Sequence, residues 1–175
     1  AYGSMGILYR TNAQSRSFEE ELLKYDVPYT IVGGQRFYDR AEIKDILSYL
    51  RLLVNPRDDQ ALRRIVNKPV RGIGKASFEK VESLAIERGL PLLEAMREAV
   101  EGQLVGRTSG KLAAFLEMMD TFASAPEGGL ALGGTLDGLP LDDMIARVMD
   151  ATGYIRALEK EDTPESETRL DNLRE

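Results

Sequence analysis

Neither cysteine nor histidine occurs in this chain of 175 residues. Thiolate and imidazole chemistry go together: disulfides, Cys/His zinc sites, Ser-His-Asp triads and cysteine nucleophiles are excluded within the chain. No apolar run approaches the roughly 20 residues a helix needs to cross a bilayer, and no signal peptide is visible. The expectation is a soluble cytoplasmic protein with no membrane partner, and the missing cysteine agrees with a reducing compartment. Also lacking are a Gly-x-x-x-x-Gly-Lys-Ser/Thr phosphate loop and an Asp-Glu metal motif set on a strand. The chain alone is therefore not expected to hydrolyse ATP, and no residue is nominated as catalytic or as a metal ligand.

What is present is ordinary in bulk and uneven in detail. Hydrophobic content of 43% and charged content of 30% suit a globular protein, and 175 residues suffice for one or two domains with a real core. The net charge is −6, which by itself argues against nonspecific binding to nucleic acid. Residues 61–80, however, carry Arg63, Arg64, Lys68, Arg71, Lys75 and Lys80 against Glu79 alone, a local +5 that leaves −11 for the rest. Such a basic island is the footprint expected of a duplex-binding patch.

At its centre lies Asn67-Lys68-Pro69-Val70-Arg71-Gly72-Ile73-Gly74-Lys75-Ala76-Ser77. Amphipathic helical patterns flank it at 60–66 and 76–87, so the expectation is helix, Gly-Ile-Gly hairpin, helix. Glycines let a backbone tighten and come close to another surface. The following helix begins with unpaired N–H groups and the positive end of its macrodipole, a seat for a phosphate oxygen. With Lys68, Arg71 and Lys75 around it, the predicted contact is to a nucleic-acid backbone, made without reading its sequence. The plainer alternative is a tight interhelical turn with solvated lysines.

Before this stretch, residues 6–9 and 27–32 read as strands and 13–25 as a helix bearing Phe18, Leu22 and Tyr25 on one face. That is one βα-type unit, which cannot stand alone as a sheet and is expected to belong to a larger domain. Asp39 and Glu42 have the form of a capping box for a helix carrying Ile43, Ile46, Leu47, Leu50, Leu53 and Val54 on one side. Glu42, Lys44 and Asp45 are read as capping and solvated charge, and Phe37 and Tyr38 as core plugs rather than base-stacking rings. After the island, helices are expected at 92–100, 110–123, 141–151 and 154–158, with a mobile Gly-rich acidic loop at 125–140. Thr163 as N-cap and Pro164 in first position open a last helix, expected to be still running at Glu175.

Three sequences now fall in one order. Leu8-Tyr9-Arg10-Thr11-Asn12-Ala13-Gln14-Ser15-Arg16 precedes Val32-Gly33-Gly34-Gln35-Arg36-Phe37-Tyr38-Asp39-Arg40-Ala41-Glu42-Ile43-Lys44-Asp45, and then comes Asn67-Lys68-Pro69-Val70-Arg71-Gly72-Ile73-Gly74. Together they resemble the superfamily 1A DNA helicases of the UvrD/PcrA/Rep group, over nearly the whole chain. The resemblance implies a mainly α fold. Residues 1–33 would be a βαβ piece of the RecA-like domain 2A, and 34–175 a helical domain 2B without its C-terminal end, bearing the helix-hairpin-helix-like Gly-Ile-Gly turn.

The resemblance further implies a parent ATP-dependent 3′ to 5′ DNA helicase of repair or replication, using ATP and Mg²⁺ that this piece has no means to bind. Duplex contacts fall to Lys68, Arg71, Gly72, Ile73, Gly74, Lys75 and Ser77. Single-strand contacts fall to Arg10, Thr11, Asn12 and Arg16. Implied partners are DNA at a strand–duplex junction, helicase domains 1A, 1B and 2A, and repair proteins or a second copy, in a bacterial cytoplasm at the nucleoid. Two alternatives stay open: a protein-interaction or autoinhibitory module that docks regulators, and a helix-hairpin-helix module of a repair nuclease or polymerase.

Overall fold

Local sequence signals set most element boundaries. The computed structural model describes residues 2–10, 14–34, 36–123 and 141–174, and the loop expected at 125–140 lies outside the described residues. Among the described residues the α-helices are α1 (Ser15–Lys24), α2 (Ala41–Val54), α3 (Asp59–Ile65), α4 (Lys75–Arg88), α5 (Leu92–Glu101), α6 (Ser109–Ala123), α7 (Leu141–Ala151), α8 (Tyr154–Glu161) and α9 (Pro164–Arg174). The protein is mainly helical.

Helix ends follow side-chain chemistry. Asp58 accepts the Ala61 N–H at 2.9 Å and starts α3. Its neighbour Asp59 accepts the Leu92 N–H at 2.9 Å, so an acid of α3 satisfies the first donor of α5. Gly89 takes a left-handed φ of +64° after α4, and the Leu90 N–H returns to the Ala85 carbonyl at 3.0 Å. Thr163 and Ser166 cap α9 reciprocally, each backbone N–H donating to the other's hydroxyl.

Two expectations are corrected. Residues 6–9 and 27–32 carry no strand. A strand exists only by its ladder to a neighbour, neither segment finds one among the described residues, and Pro28 has no N–H to give. Leu8 at 98% and Val32 at 92% exposure have no facing layer among the described residues. The Asp39/Glu42 capping box does not form either. Asp39 ends a 3₁₀ turn and binds Lys44 Nζ at 2.8 Å, whereas Glu42 is buried and accepts from Asn172 Nδ2 at 2.6 Å.

The chain divides into two compact units, Ala1–Lys44 with Ile155–Glu175, and Asp45–Tyr154. The first is held by polar contacts. Arg40, itself buried, donates to Asn172 Oδ1 at 2.6 Å and to Ser15 Oγ at 2.8 Å, and its guanidinium lies 5.2 Å from the Phe37 ring. Buried Glu19 accepts from Ser15 Oγ, Tyr29 Oη and the Phe37 N–H. No buried side-chain nitrogen or oxygen among the described residues lacks a partner, the condition under which a buried polar network stabilises rather than costs. Elsewhere in this unit Ile7, Phe18, Leu22, Tyr25 and Val27 line an open apolar groove.

The second unit has one apolar core. α5 buries Leu92, Ala95, Met96 and Ala99, an i, i+3, i+4, i+7 stripe, and packs on α3, α4 and α6. Tyr49 and Leu52 of α2, Leu62 and Ile65 of α3, Phe115 and Met119 of α6, and Met144 and Val148 of α7 complete it.

Candidate nucleic-acid interface

The basic island folds as α3, a loop and α4, and one asparagine shapes the loop. Asn67 Oδ1 accepts the N–H of Arg71 at 2.8 Å and of Ile73 at 3.1 Å, so the chain curls around a single side-chain carbonyl. Ile73 then drops into the apolar core, 4% exposed, and pins the loop from below.

The two glycines differ. Gly72 has φ +70°, which a residue with a Cβ adopts only under strain. Gly74 has φ −74° and ψ 151°, extended backbone open to any residue, and a Cβ built there meets nothing within 4 Å. Neither conformation nor space among the described residues requires glycine at 74, and its bareness leaves the start of α4 open. No side chain caps that start, and the N–H groups of Gly74, Lys75 and Ala76 make no hydrogen bond among the described residues. The first N–H donors back to the Gly74 carbonyl come from Ser77 at 3.1 Å and Phe78 at 3.2 Å.

The predicted cations have distinct positions. Arg71 is half-buried: Nη1 donates to the carbonyls of Lys68 at 2.7 Å, Ile65 at 3.2 Å and Pro69 at 3.3 Å. Its Nη2 reaches Tyr49 Oη at 2.8 Å and the Thr152 carbonyl at 3.3 Å, and the guanidinium stacks 5.4 Å from the Phe115 ring. The planar fork is spent on the fold. Tyr49 also donates to the Lys68 carbonyl. Burial pushes its phenol up to about 12, against the opposing pull of Arg71.

Asp45, almost fully buried, accepts Arg64 Nε and Tyr154 Oη, each at 2.7 Å, and attracts Lys68 Nζ at 3.6 Å. The expectation that Asp45 is solvated charge is thus corrected: buried carboxylates persist where they are paired. Lys68 keeps 53% of its side chain exposed despite this anchor. Arg63 pairs with Glu82 at 2.7 Å. Lys75 is 93% exposed and lies 3.8 Å from Glu79. Ser77 Oγ shares a hydrogen bond with Thr108 Oγ1 at 2.9 Å.

One cation escaped sequence reasoning. Lys111 of α6 donates to the Gly72 carbonyl at 2.9 Å. It lies in the acidic part of the chain, and only folding reveals the approach.

The predicted single-strand residues are less organised. Arg10 is exposed and its N–H donates to Gln14 Oε1 at 3.0 Å. Thr11 and Asn12 lie outside the described residues. Arg16 Nε binds Glu20 at 2.8 Å and its guanidinium lies 5.2 Å from the Phe37 ring. That hydrogen bond is the main reason the Glu20 carboxyl titrates below its usual range. Phe37 is buried, as expected of a core plug, while Tyr38 is half exposed. Among the described residues no group of three or more acids is disposed to hold a metal ion.

Comparison with known sequences places this geometry in context. The profile of the UvrD-like helicase C-terminal domain matches residues 1–104. The chain is 41% identical over 174 residues, 99% of its length, to the ATP-dependent DNA helicase PcrA of Staphylococcus aureus and likewise to that of Staphylococcus epidermidis. It spans only 22% of either relative, about a fifth.

Proposed function

The chain belongs to the UvrD-like helicase C-terminal domain family, and from that premise we propose that it is a DNA-contacting domain of an ATP-dependent 3′ to 5′ DNA helicase. In this reading residues 67–77 form the helix-hairpin-helix-like element that meets duplex DNA ahead of the fork. The observation that carries it is the bare start of α4: three backbone N–H groups without partners among the described residues, with no side chain at position 74 over them, beside the exposed ammonium of Lys75. Amides and a mobile cation together suit a phosphate oxygen. Lys68, Gly72 and Gly74 lie along the same loop, and Ser77 sits one turn into α4. Arg71 and Ile73 serve the site from beneath, holding the loop in shape.

Residues 1–33 are assigned to domain 2A and 34–175 to domain 2B. The exposed Leu8 and Val32 and the open groove at Phe18 and Tyr25 support a missing layer, the remainder of a RecA-like sheet in which 6–9 and 27–32 would pair. Arg10, Thr11, Asn12 and Arg16 are assigned to the single-strand path. ATP and Mg²⁺ belong to motor segments outside this chain. Repair or replication in a bacterial cytoplasm, at the nucleoid, is the proposed setting.

Titration of labelled duplex, forked and single-stranded DNA at two salt concentrations tests this. About three phosphate contacts give a slope near −2.7 in log affinity against log salt. Affinity that ignores salt, or no duplex binding at all, sinks the proposal. A second reading, a docking module for regulators or a second helicase copy, is favoured by the acidic excess after Pro91 and the 83% exposed Ile86. Lys68→Glu with Lys75→Glu separates the two, since it abolishes duplex binding and spares a basic partner on the acidic half.

A further inference from the structure

Lys111 is 39 positions from Gly72 in sequence, yet its ammonium donates to the Gly72 carbonyl at 2.9 Å. The contact is intimate: a Cβ placed on Gly72 would stand 2.5 Å from Nζ. A second bond fastens the same end of α6 to the island, Thr108 Oγ1 to Ser77 Oγ at 2.9 Å. An ammonium carries three donors, and the Gly72 carbonyl takes one. Lys111 is exposed, and no carboxylate pairs with it among the described residues. Several island cations are already engaged: Arg63 by Glu82, Arg64 by Asp45, Arg71 by carbonyls and rings. Residues 102–116 contain Arg107 and Lys111 and no acid, a basic pocket of sequence inside the acidic part.

We propose that Lys111 is a phosphate-contact residue of the same site, so that the duplex seat is assembled from two segments, 67–77 and the start of α6. This rests on the duplex-contact reading above. Lys111 takes the place in the charge count that Arg71, turned into the fold, leaves vacant, and it supplies one of the roughly three phosphate contacts.

The test uses the 175-residue chain and a labelled duplex, with affinity followed from about 50 to 200 mM salt. Lys111→Gln is expected to make the slope shallower by about 0.9, Lys111→Arg to keep it, and Lys24→Gln, with the same net charge as the first variant, to leave it unchanged. Urea midpoints of Lys111→Arg and wild type should coincide. Wild-type binding with a steep slope that survives Lys111→Gln overturns this inference and leaves the duplex reading standing. Equal loss in the Gln and Arg variants also overturns it, since Lys111 would then act only as a clamp. Absence of wild-type duplex binding removes both.

Discussion

Two stretches singled out in the sequence, 67–77 for duplex contact and the apolar run 6–9 leading into the single-strand residues of 10–16, reach the folded state very differently. The first is finished by its own unit. Asn67 templates the loop, Ile73 anchors it in the core, and Arg71 ties it to Tyr49 and the Thr152 carbonyl. Among the described residues the second has a leucine 98% exposed, no strand and an arginine paired with a neighbouring glutamate. Helices satisfy their backbone internally, whereas a strand needs a neighbour to do so. A loop between helices can therefore be preorganised within its own unit, and a strand without its neighbour cannot.

Deleting the anchor of each segment should widen the contrast most. Ile73→Ala removes a buried side chain and is expected to cost about 2 to 5 kcal/mol by urea unfolding. Leu8→Ala is expected to leave the midpoint unmoved; a matching loss would mean that residues 6–9 are packed after all.

The two arginines sharpen it next. Arg71→Ala strands several carbonyls and the Tyr49 hydroxyl and should destabilise by about 3 kcal/mol. Arg16→Ala removes a partly exposed helix pair with Glu20 and a ring contact with Phe37, together worth about 1 kcal/mol. Equal effects in thermal or urea melts would erase the distinction between a structural and a surface arginine.

A smaller effect, about 2 kcal/mol, is expected from alkali. Tyr49 has its folded pKa raised to about 12 from the usual 10. Its neutral form is the one the fold holds, so its contribution is intact below pH 10 and is lost as pH climbs toward 12. Stability measured across that window should fall more steeply in wild type than in Tyr49→Phe. Parallel curves would show that the phenol does not sense the core.

Some of this was legible in the chain and some was not, for reasons particular residues make plain. Pro164 and Thr163, Gly89, and Asp58 mark helix ends by chemistry confined to a few neighbours, so α4, α5, α7 and α9 fall within a residue or two of their expected limits. Amphipathic spacing likewise announced the buried face of α5. Asp45 and Glu42 looked like surface charge, because nothing nearby in sequence discloses Arg64, Tyr154 or Asn172 as partners. The strands at 6–9 and 27–32 were read from local apolar character, which specifies a preference and not a partner.

Helix positions, the glycine-bearing loop and the local excess of positive charge were thus determined by the amino-acid sequence alone, since each depends on spacing and on groups a few residues apart. The fate of each charge was decided only by tertiary structure. Arg71 and Lys75, four residues apart, look interchangeable on paper; one is drawn under the loop by carbonyls and two rings, the other is left in water. Lys111 joins them from another helix. Long-range packing chooses among equal charges, because burying a cation is tolerable only where oxygen atoms and ring faces converge on it from distant parts of the chain.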